Sequence, residues 1–411
     1  MSAPMTSTCR FCSAPLGNVI VDLGMSPLAN SYVAPNRNSE MEPFYPLRLL
    51  VCDDCLLVQV EDVVTPEHIF SEYHYFSSYS TTWLEHSRRY AEAAIGRFGL
   101  DDSSRVVELA SNDGYLLQYF LERQIPVLGI EPAANVAKVA LQKGIPTLVE
   151  FFGEATARTL TGEKADLLIG NNVIAHVPDL NDFVAGMTLM LKPRGQLSLE
   201  FSHFPQLVER KEWDTIYHEH FSYFTCATAS KVLAAHGFRL FDVEELPTHG
   251  GSLRIYGCHA DDPRPTEPRV AELLEREATM GYDSTEVYAA FGQRVAEDKR
   301  QIVQFLIELK DKGNRIVGYG APAKGNTLLN YCGLGTDFLE YTCDLNPHKQ
   351  GHFLPGTHIP IYAPEVLQED RPDIVLILSW NLKDEIIDQL AFIRTWGGRF
   401  AARAPDITLF S

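Results

Sequence analysis

The sequence predicts an α/β chain: a small cysteine-stapled module followed by two Rossmann-like units. Three observations carry that expectation. Two C-x-x-C pairs, Cys9/Cys12 and Cys52/Cys55, stand near the N-terminus. At 105–120 a short apolar strand runs through Glu108 into a small-residue turn and a helix. At 315–330 a second strand, turn and helix follows, with Gly318 and Gly320 ahead of Lys324.

Length and charge bound the rest. A chain of 411 residues with 45% hydrophobic content suits two or three buried cores. A net charge of -19 argues against nucleic acid or an anionic membrane surface as partner, because both need basic patches. An anionic small molecule can still bind a local cationic pocket. No apolar run reaches the length of about 18 residues that a membrane helix needs, and the N-terminus lacks a charged region ahead of an apolar core, so a cytoplasmic location is expected.

The two cysteine pairs are separated by 39 residues. Four thiolates so spaced satisfy a tetrahedral Zn²⁺, and the intervening chain can loop out without disturbing the site. Redox chemistry is the alternative reading of C-x-x-C, but two matching knuckles favour structural zinc. A closed four-cysteine site leaves no open coordination position. The expectation is therefore a fold staple, remote from any chemistry; Cys226, Cys258, Cys332 and Cys343 read as core.

Residues 66–98 read as helical, and the tyrosines ahead of the helix, Tyr75 and Tyr79 among them, suit either packing or a pocket wall. The turn after Glu108 has one glycine, Gly114, whereas a dinucleotide fingerprint needs three; Ala110 and Asn112 occupy the first two places. NAD is disfavoured. A cofactor without phosphates needs instead an acid for an amine, met by Glu108 or Asp113, and an acid for ribose hydroxyls. Glu131, 23 residues after Glu108 at the end of the strand 127–131, suits the second need. A third strand from Asp166 leads into Asn171, Asn172 and His176, then a helix to about Leu191, a turn at 192–195 and a strand 196–200. This is a βαβα order with a parallel sheet.

Proton-transfer chemistry is densest at 213–224, where Tyr217, His218, Glu219 and His220 are consecutive. The His-Glu-x-x-His metalloprotease pattern fails, since Ser222 stands where its second histidine belongs. In an extended chain His218 and His220 would share one face and Tyr217 and Glu219 the other, while an irregular loop could converge three of them. Either histidine could serve as a general base, with Glu219 or Tyr217 orienting or stabilising. The block follows the strand ending near Glu200, at the carboxyl edge where open α/β sheets bind ligands.

A proline-punctuated linker from about Asp261 and an amphipathic run 287–312 precede the second unit. There small residues expose backbone amides, the helix start carries partial positive charge, and Lys324 adds a full one, so a phosphate fits. The Walker spacing is absent. Strands are expected at 339–344 and 373–381, the second ending in Trp380 and Asn381, a natural position for recognising a base.

The first unit's strand-end acids and the turn before its fifth strand resemble the class I S-adenosylmethionine methyltransferases. The whole chain is similar to the nucleotide-sugar C-methyltransferases of deoxysugar biosynthesis, which combine a four-cysteine zinc module, a methyltransferase core and a C-terminal Rossmann-like domain. That resemblance implies a zinc module at 1–65, a methyltransferase domain at 66–260, and a linker with a nucleotide-sugar-binding domain at 261–411. It implies zinc on Cys9, Cys12, Cys52 and Cys55, and S-adenosylmethionine at Glu108, Ala110, Asn112, Gly114, Glu131, Asn171 and Asn172. His220 would be the base that removes the α-proton of a nucleotide-diphosphate 4-keto sugar, with Tyr217, Glu219, His176 and Tyr75 assisting. Substrate contacts would come from Tyr79, His218, Gly320, Ala321, Lys324, Gly325, Asn326, Thr327, Asp344, Trp380 and Asn381, and the run 249–254 would border the sugar. The implied sugar is dTDP-linked and methylated at C-3, on an enzyme that is a monomer or weak homo-oligomer.

The chemistry agrees with that resemblance: a ketone beside the carbon lets charge move to oxygen as an enolate, which donors must stabilise. Two other readings are a nicotinamide oxidoreductase acting on a nucleotide sugar, weakened by Ala110 and Asn112, and a zinc- and nucleotide-binding assembly protein without turnover.

Overall fold

The structure, a computed structural model, describes residues 7–65, 76–403 and 405–410. Its contacts cluster into two compact units, each assembled from separate stretches of chain: Met1–Gly17, Cys52–Pro205 and His220–Thr285 in the first, Asn18–Val51, Gln206–Glu219 and Glu286–Ser411 in the second. No described helix is long and apolar enough to cross a membrane.

The first unit opens its core with helix α1, Thr81–Phe98. Ser80 caps it by accepting from the Trp83 amide, and Gly99 closes it at φ 61°, the left-handed conformation that glycine adopts without cost. Trp83, Ser87, Tyr90, Ala91 and Ala94 form its buried face, the spacing of an amphipathic helix. The helical reading of 66–98 thus begins at Thr81 among the described residues.

The seven-stranded sheet comprises β1 (Val106–Leu109), β2 (Val127–Ile130), β3 (Thr147–Leu148), β4 (Ala165–Asn171), β5 (Leu191–Ser202), β6 (Phe238–Leu246) and β7 (Ser252–His259), in the order β6-β7-β5-β4-β1-β2-β3. Strands β1 to β5 pair in parallel, with β4 and β5 on one side of β1 and β2 and β3 on the other; all four residues of β1 are buried, as expected of a strand covered on both faces. Strand β7 is antiparallel to both β5 and β6. The sheet is therefore mixed, because the short connection between β6 and β7 permits only a hairpin. The expected turn at 192–195 is instead a register irregularity inside β5, between Leu191 and Gln196. Gly195 allows it: a Cβ there would lie 2.8 Å from the Ala165 carbonyl oxygen.

The second unit pairs Asn18–Ser26 with Tyr45–Val51 as an antiparallel ribbon. Helix α2, Glu286–Asp311, buries Tyr288, Phe291, Val295, Asp298, Ile302, Leu306 and Leu309 at helical spacing. The six-stranded sheet holds β8 (Ile316–Tyr319), β9 (Thr342–Cys343), β10 (Ile361–Tyr362), β11 (Ile374–Ile377), β12 (Arg399–Arg403) and β13 (Ile407–Phe410), in the order β10-β9-β8-β11-β12-β13. All pairs are parallel except β12 with β13. Two strands are shorter than expected. Leu339 instead donates its amide to Gly335 in a turn, and Trp380 enters a 3-10 turn, Trp380–Leu382. A buried polar cluster ties that turn down: the Trp380 indole donates to Asp214 at 2.7 Å and the Trp213 indole to Asp298 at 2.6 Å, while Arg403 bonds both aspartates at 2.9 Å.

Candidate active site and zinc centre

The two cysteine knuckles are geometric copies. The Cys9 amide donates to Ala14 and the Cys52 amide to Leu57, while Ser13 and Leu56 donate back to the carbonyls of Cys9 and Cys52. Ser13 and Leu56 take φ 64° and 66°, an uncommon conformation for residues with a Cβ, so both turns are held by what they present. They present four sulfurs within 4.8 Å of one another, with Cys9 to Cys55 and Cys12 to Cys52 both at 3.5 Å. Zn–S bonds of about 2.3 Å require tetrahedral edges of about 3.8 Å, so the donor set fits zinc. Gln59 Nε2 supports it by donating to Cys9 Sγ at 3.3 Å. The knuckles are not remote from the histidine block. Val58–Val60 pairs with Ser222–Tyr223, and the Val60 amide donates to the Phe221 carbonyl at 3.0 Å.

At the carboxyl ends of β1, β2 and β4 the expected cofactor residues lie together. Ala110, Asn112 and Asn172 adopt φ 53°, 50° and 51°, and Gly114 φ 77°. A Cβ on Gly114 would also lie 2.2 Å from Ile145 Cδ1, the tip of a side chain that would have to turn aside. Glu131 accepts from the amides of Asn112 at 3.0 Å and Ala133 at 2.9 Å; burial nevertheless pushes its carboxyl up to about 6. Glu108 is fully buried, and neither of its oxygens completes a hydrogen bond among the described residues. Burial drives its carboxyl well above the usual range, against the pull of the Tyr115 hydroxyl. The Asn171 Oδ1 is likewise buried and completes no hydrogen bond among the described residues. Buried acceptors left open are costly unless a ligand supplies donors. An ammonium and ribose hydroxyls are such donors, so these residues fit S-adenosylmethionine.

Beside this edge lies a network absent from the sequence reading. Glu200 accepts from Thr248 Oγ1 at 2.9 Å, pairs with Arg254, and lies 3.0 Å from His86 Nε2. Burial would raise the Glu200 carboxyl, but the His86 hydrogen bond and the Arg254 charge hold it at about 2. Glu200, Arg254 and Glu244 stand opposite one another on β5, β7 and β6, an alternation of charge that becomes visible only when the strands are paired. Arg254, in the run expected to border a sugar, is buried in this network over the Tyr90 ring.

His176 ends a 3-10 turn, Ile174–His176, after β4. Its ring meets that of His220 edge-on, with centroids 4.6 Å apart, and Tyr223 lies 5.8 Å beyond His220. A bridge between His203 and Phe224 sets this segment at the carboxyl end of β5. Tyr79 is 59% exposed in the turn Ser77–Tyr79, and Tyr75 lies outside the described residues.

The chain leaves the second unit between Glu219 and His220. Residues 216–219 form an irregular loop. Its Ile216 carbonyl accepts from Thr327 Oγ1 at 3.1 Å. His218 Nε2 lies 3.1 Å from the Pro46 carbonyl and its ring packs edge-on to Tyr45; burial lowers its pKa, so it is a neutral donor there. Asn30 Nδ2 bonds both oxygens of Glu219, at 2.7 and 2.9 Å, and burial pushes that carboxyl up to about 7. Asn30 had no sequence signal, because its partner is 189 positions away.

Helix α3, Ala323–Cys332, starts beneath the expected phosphate turn. Gly320 has φ 92°, and a Cβ on it would lie 2.5 Å from Ser379 Oγ; one on Gly325 would lie 2.9 Å from Leu378 Cβ. Asp344 accepts from the Ala321 amide at 2.7 Å, while the Ala321 carbonyl accepts from Tyr32 at 2.6 Å and Lys349 at 2.9 Å. Lys324 donates to Asn381 Oδ1 at 2.9 Å and lies 4.3 Å over the Trp380 ring. Burial lowers its pKa, opposed by Asp214 and Glu212. Asn326 donates to the Ala29 carbonyl at 2.6 Å. Thus Gly320, Ala321, Lys324, Gly325, Asp344, Trp380 and Asn381 form one group, while Asn326 and Thr327 hold neighbouring loops.

Family profiles match three stretches: a zinc binding domain at 9–70, a methyltransferase domain at 83–243 and a C-methyltransferase C-terminal domain at 247–405. The C-methyltransferase NovU of Streptomyces niveus is 33% identical over 405 residues, covering 98% of this chain and 96% of its own length. The chain belongs to the C-methyltransferase family. It is an S-adenosylmethionine-dependent methyltransferase with a four-cysteine zinc-binding module. Among solved structures, the magnesium protoporphyrin IX methyltransferase of Synechocystis PCC 6803 is 15% identical, with a TM-score of 0.36, covering 43% of this chain and 83% of its own. The 1,6-didemethyltoxoflavin-N1-methyltransferase of Burkholderia thailandensis is 18% identical, with a TM-score of 0.37, covering 50% and 95%.

The raised Glu219 carboxyl has a thermodynamic signature. Below the ordinary glutamate value of about 4.3, folded and unfolded chains both hold the proton and burial costs nothing. Between there and about 7 the unfolded chain has released it while the folded chain keeps it, so the penalty grows as pH rises and then levels off. The melting temperature of Glu219→Gln should therefore gain on that of the parent chain between roughly pH 5 and pH 7.5. A gap that stays flat across that range would contradict the shift.

Proposed function

We propose that this C-methyltransferase acts on a dTDP-linked 4-keto deoxysugar, methylating C-3 through an enolate. The observation that carries the reading is the pair of imidazoles, His176 and His220, 4.6 Å apart at the carboxyl edge of the sheet that also bears Glu108 and Glu131. S-adenosylmethionine, when bound, supplies an electrophilic sulfonium methyl. His220 takes the proton from the carbon beside the ketone, and the electron pair moves onto the carbonyl oxygen. His176 shares the proton on His220, while Tyr217, with Tyr75, donates to the developing oxyanion. Glu219, protonated in part near neutrality, assists by donating from its carboxyl. Glu108 takes an ammonium, Glu131 takes ribose hydroxyls, and Ala110, Asn112, Gly114, Asn171 and Asn172 line that edge. In the second unit Lys324 and the start of α3 hold the diphosphate, with Gly320 and Gly325 giving the backbone room, and Trp380 and Asn381 meet the base. In functional terms 1–65 is the zinc module, 66–260 the methyltransferase domain and 261–411 the linker and nucleotide-sugar domain.

The assay supplies S-adenosylmethionine carrying a ¹³C methyl together with a dTDP-linked 4-keto-6-deoxy sugar. A methyl carbon bonded to C-3 is expected in the product. Titration calorimetry should then separate the two ligand sites. Glu131→Ala is expected to weaken S-adenosylhomocysteine and spare dTDP; Lys324→Ala should do the reverse, more steeply at low salt. A methyl found on oxygen or nitrogen, or dTDP affinity unchanged in Lys324→Ala, would contradict the reading.

A further inference from the structure

We propose that Arg10, inside the first zinc knuckle, is a positioning residue that holds the two histidine-bearing segments in register. This deepens the preceding reading and rests on it. The Arg10 side chain is 6% exposed. Its Nη1 donates to the Pro178 carbonyl at 3.0 Å, two residues beyond His176. Its Nη2 donates to the Val60 carbonyl at 2.7 Å and to Asp62 at 2.9 Å. The guanidinium carbon also lies 5.3 Å from the ring centroid of Phe221, the residue after His220. One side chain therefore touches the segments of both imidazoles.

The knuckle makes Arg10 a fixed point. Its amide donates to Gln59 Oε1 at 3.1 Å, and Asn181 Nδ2 donates to the carbonyls of Arg10 and Phe11 at 3.3 and 2.9 Å. Gln59 in turn bonds Cys9 Sγ and faces Ser222 across the strand pair. An ion pair alone does not account for an arginine here. The Asp62 carboxylate is 58% exposed and screened by water, so it stabilises little, whereas two part-buried carbonyls and a ring need a planar fork of donors. Lysine cannot reproduce that fork. The zinc module thus acts on chemistry through geometry, by fixing how His176 meets His220.

The test uses the full zinc-loaded chain with S-adenosylmethionine and the dTDP-linked 4-keto-6-deoxy sugar. Arg10→Gln is expected to keep one zinc per chain and near-parental KM for both substrates, while kcat falls about 10- to 100-fold, since displacements near 1 Å cost that much. In spectra of histidine-labelled protein, cross-peaks between the His176 and His220 rings should weaken, and Arg10→Lys should recover part of both signals. Should Arg10→Gln fail to fold, Arg10→Lys alone decides. Parental kcat with intact cross-peaks, in Arg10→Gln or in Arg10→Lys standing in for it, overturns the inference. His220→Asn, run alongside, separates the two proposals. If it is inactive while the Arg10 variants match the parent, only Arg10's role falls; if it turns over normally, the base assignment falls whatever Arg10 does.

Discussion

His220→Asn is expected to bind S-adenosylhomocysteine and dTDP as the parent chain does and to lose about 10²- to 10⁴-fold in kcat. That range is what a positioned general base typically contributes. Binding is spared because Glu108 and Glu131, proposed for the cofactor, sit on other strand ends, and because the group around Lys324, proposed for the nucleotide, lies in the other unit. Asparagine keeps a polar group of similar reach beside His176 while removing the basic nitrogen. Equal losses of kcat and kcat/KM would mark an interaction made only in the transition state; a rise in KM at constant kcat would mark lost binding instead and contradict the assignment.

The second large effect belongs to the zinc centre. Cys52→Ser should lose both the metal and most of the soluble, folded protein. A four-thiolate site contributes its binding free energy to folding, about 10 to 16 kcal/mol in small zinc modules. Here the loss reaches beyond the knuckles, because Val58–Val60 pairs with the segment that follows His220. Metal content and far-ultraviolet dichroism measured on the same preparation check this. Soluble Cys52→Ser protein retaining one zinc per chain would contradict the four-cysteine site.

What could be read from the sequence was local. The C-x-x-C spacing carries its own geometry, so Cys9, Cys12, Cys52 and Cys55 were legible as one cluster, and the apolar runs at Glu108 and before Glu131 were legible as strands. The turn's backbone was not: Ala110 and Asn112 stood out only as missing glycines, yet both take the left-handed conformation, at φ 53° and 50°. What escaped depends on pairing at long range. Arg10 reaches Pro178 across 168 positions, and His86 meets Glu200 across 114. No periodicity marks such residues, because each is a single side chain whose partner is chosen by the fold. The Glu200–Arg254–Glu244 alternation is hidden for the same reason: the hairpin of β6 and β7 returns antiparallel, and only its register brings the three together. The early end of β11 also lay beyond the sequence, since the indole of Trp380 turns away to Asp214 in a segment 166 positions earlier.

The proton itself is the most direct probe of the account. The chain is incubated in D₂O with the dTDP-linked 4-keto-6-deoxy sugar and S-adenosylhomocysteine, so that deprotonation can be followed without methylation. The parent chain is expected to wash deuterium into the carbon beside the ketone, Glu131→Ala to retain exchange, and His220→Asn to lose it. Exchange at the parental rate in His220→Asn, with its loss in His218→Asn or Tyr217→Phe, would contradict the account and move the base to a neighbour in the same block.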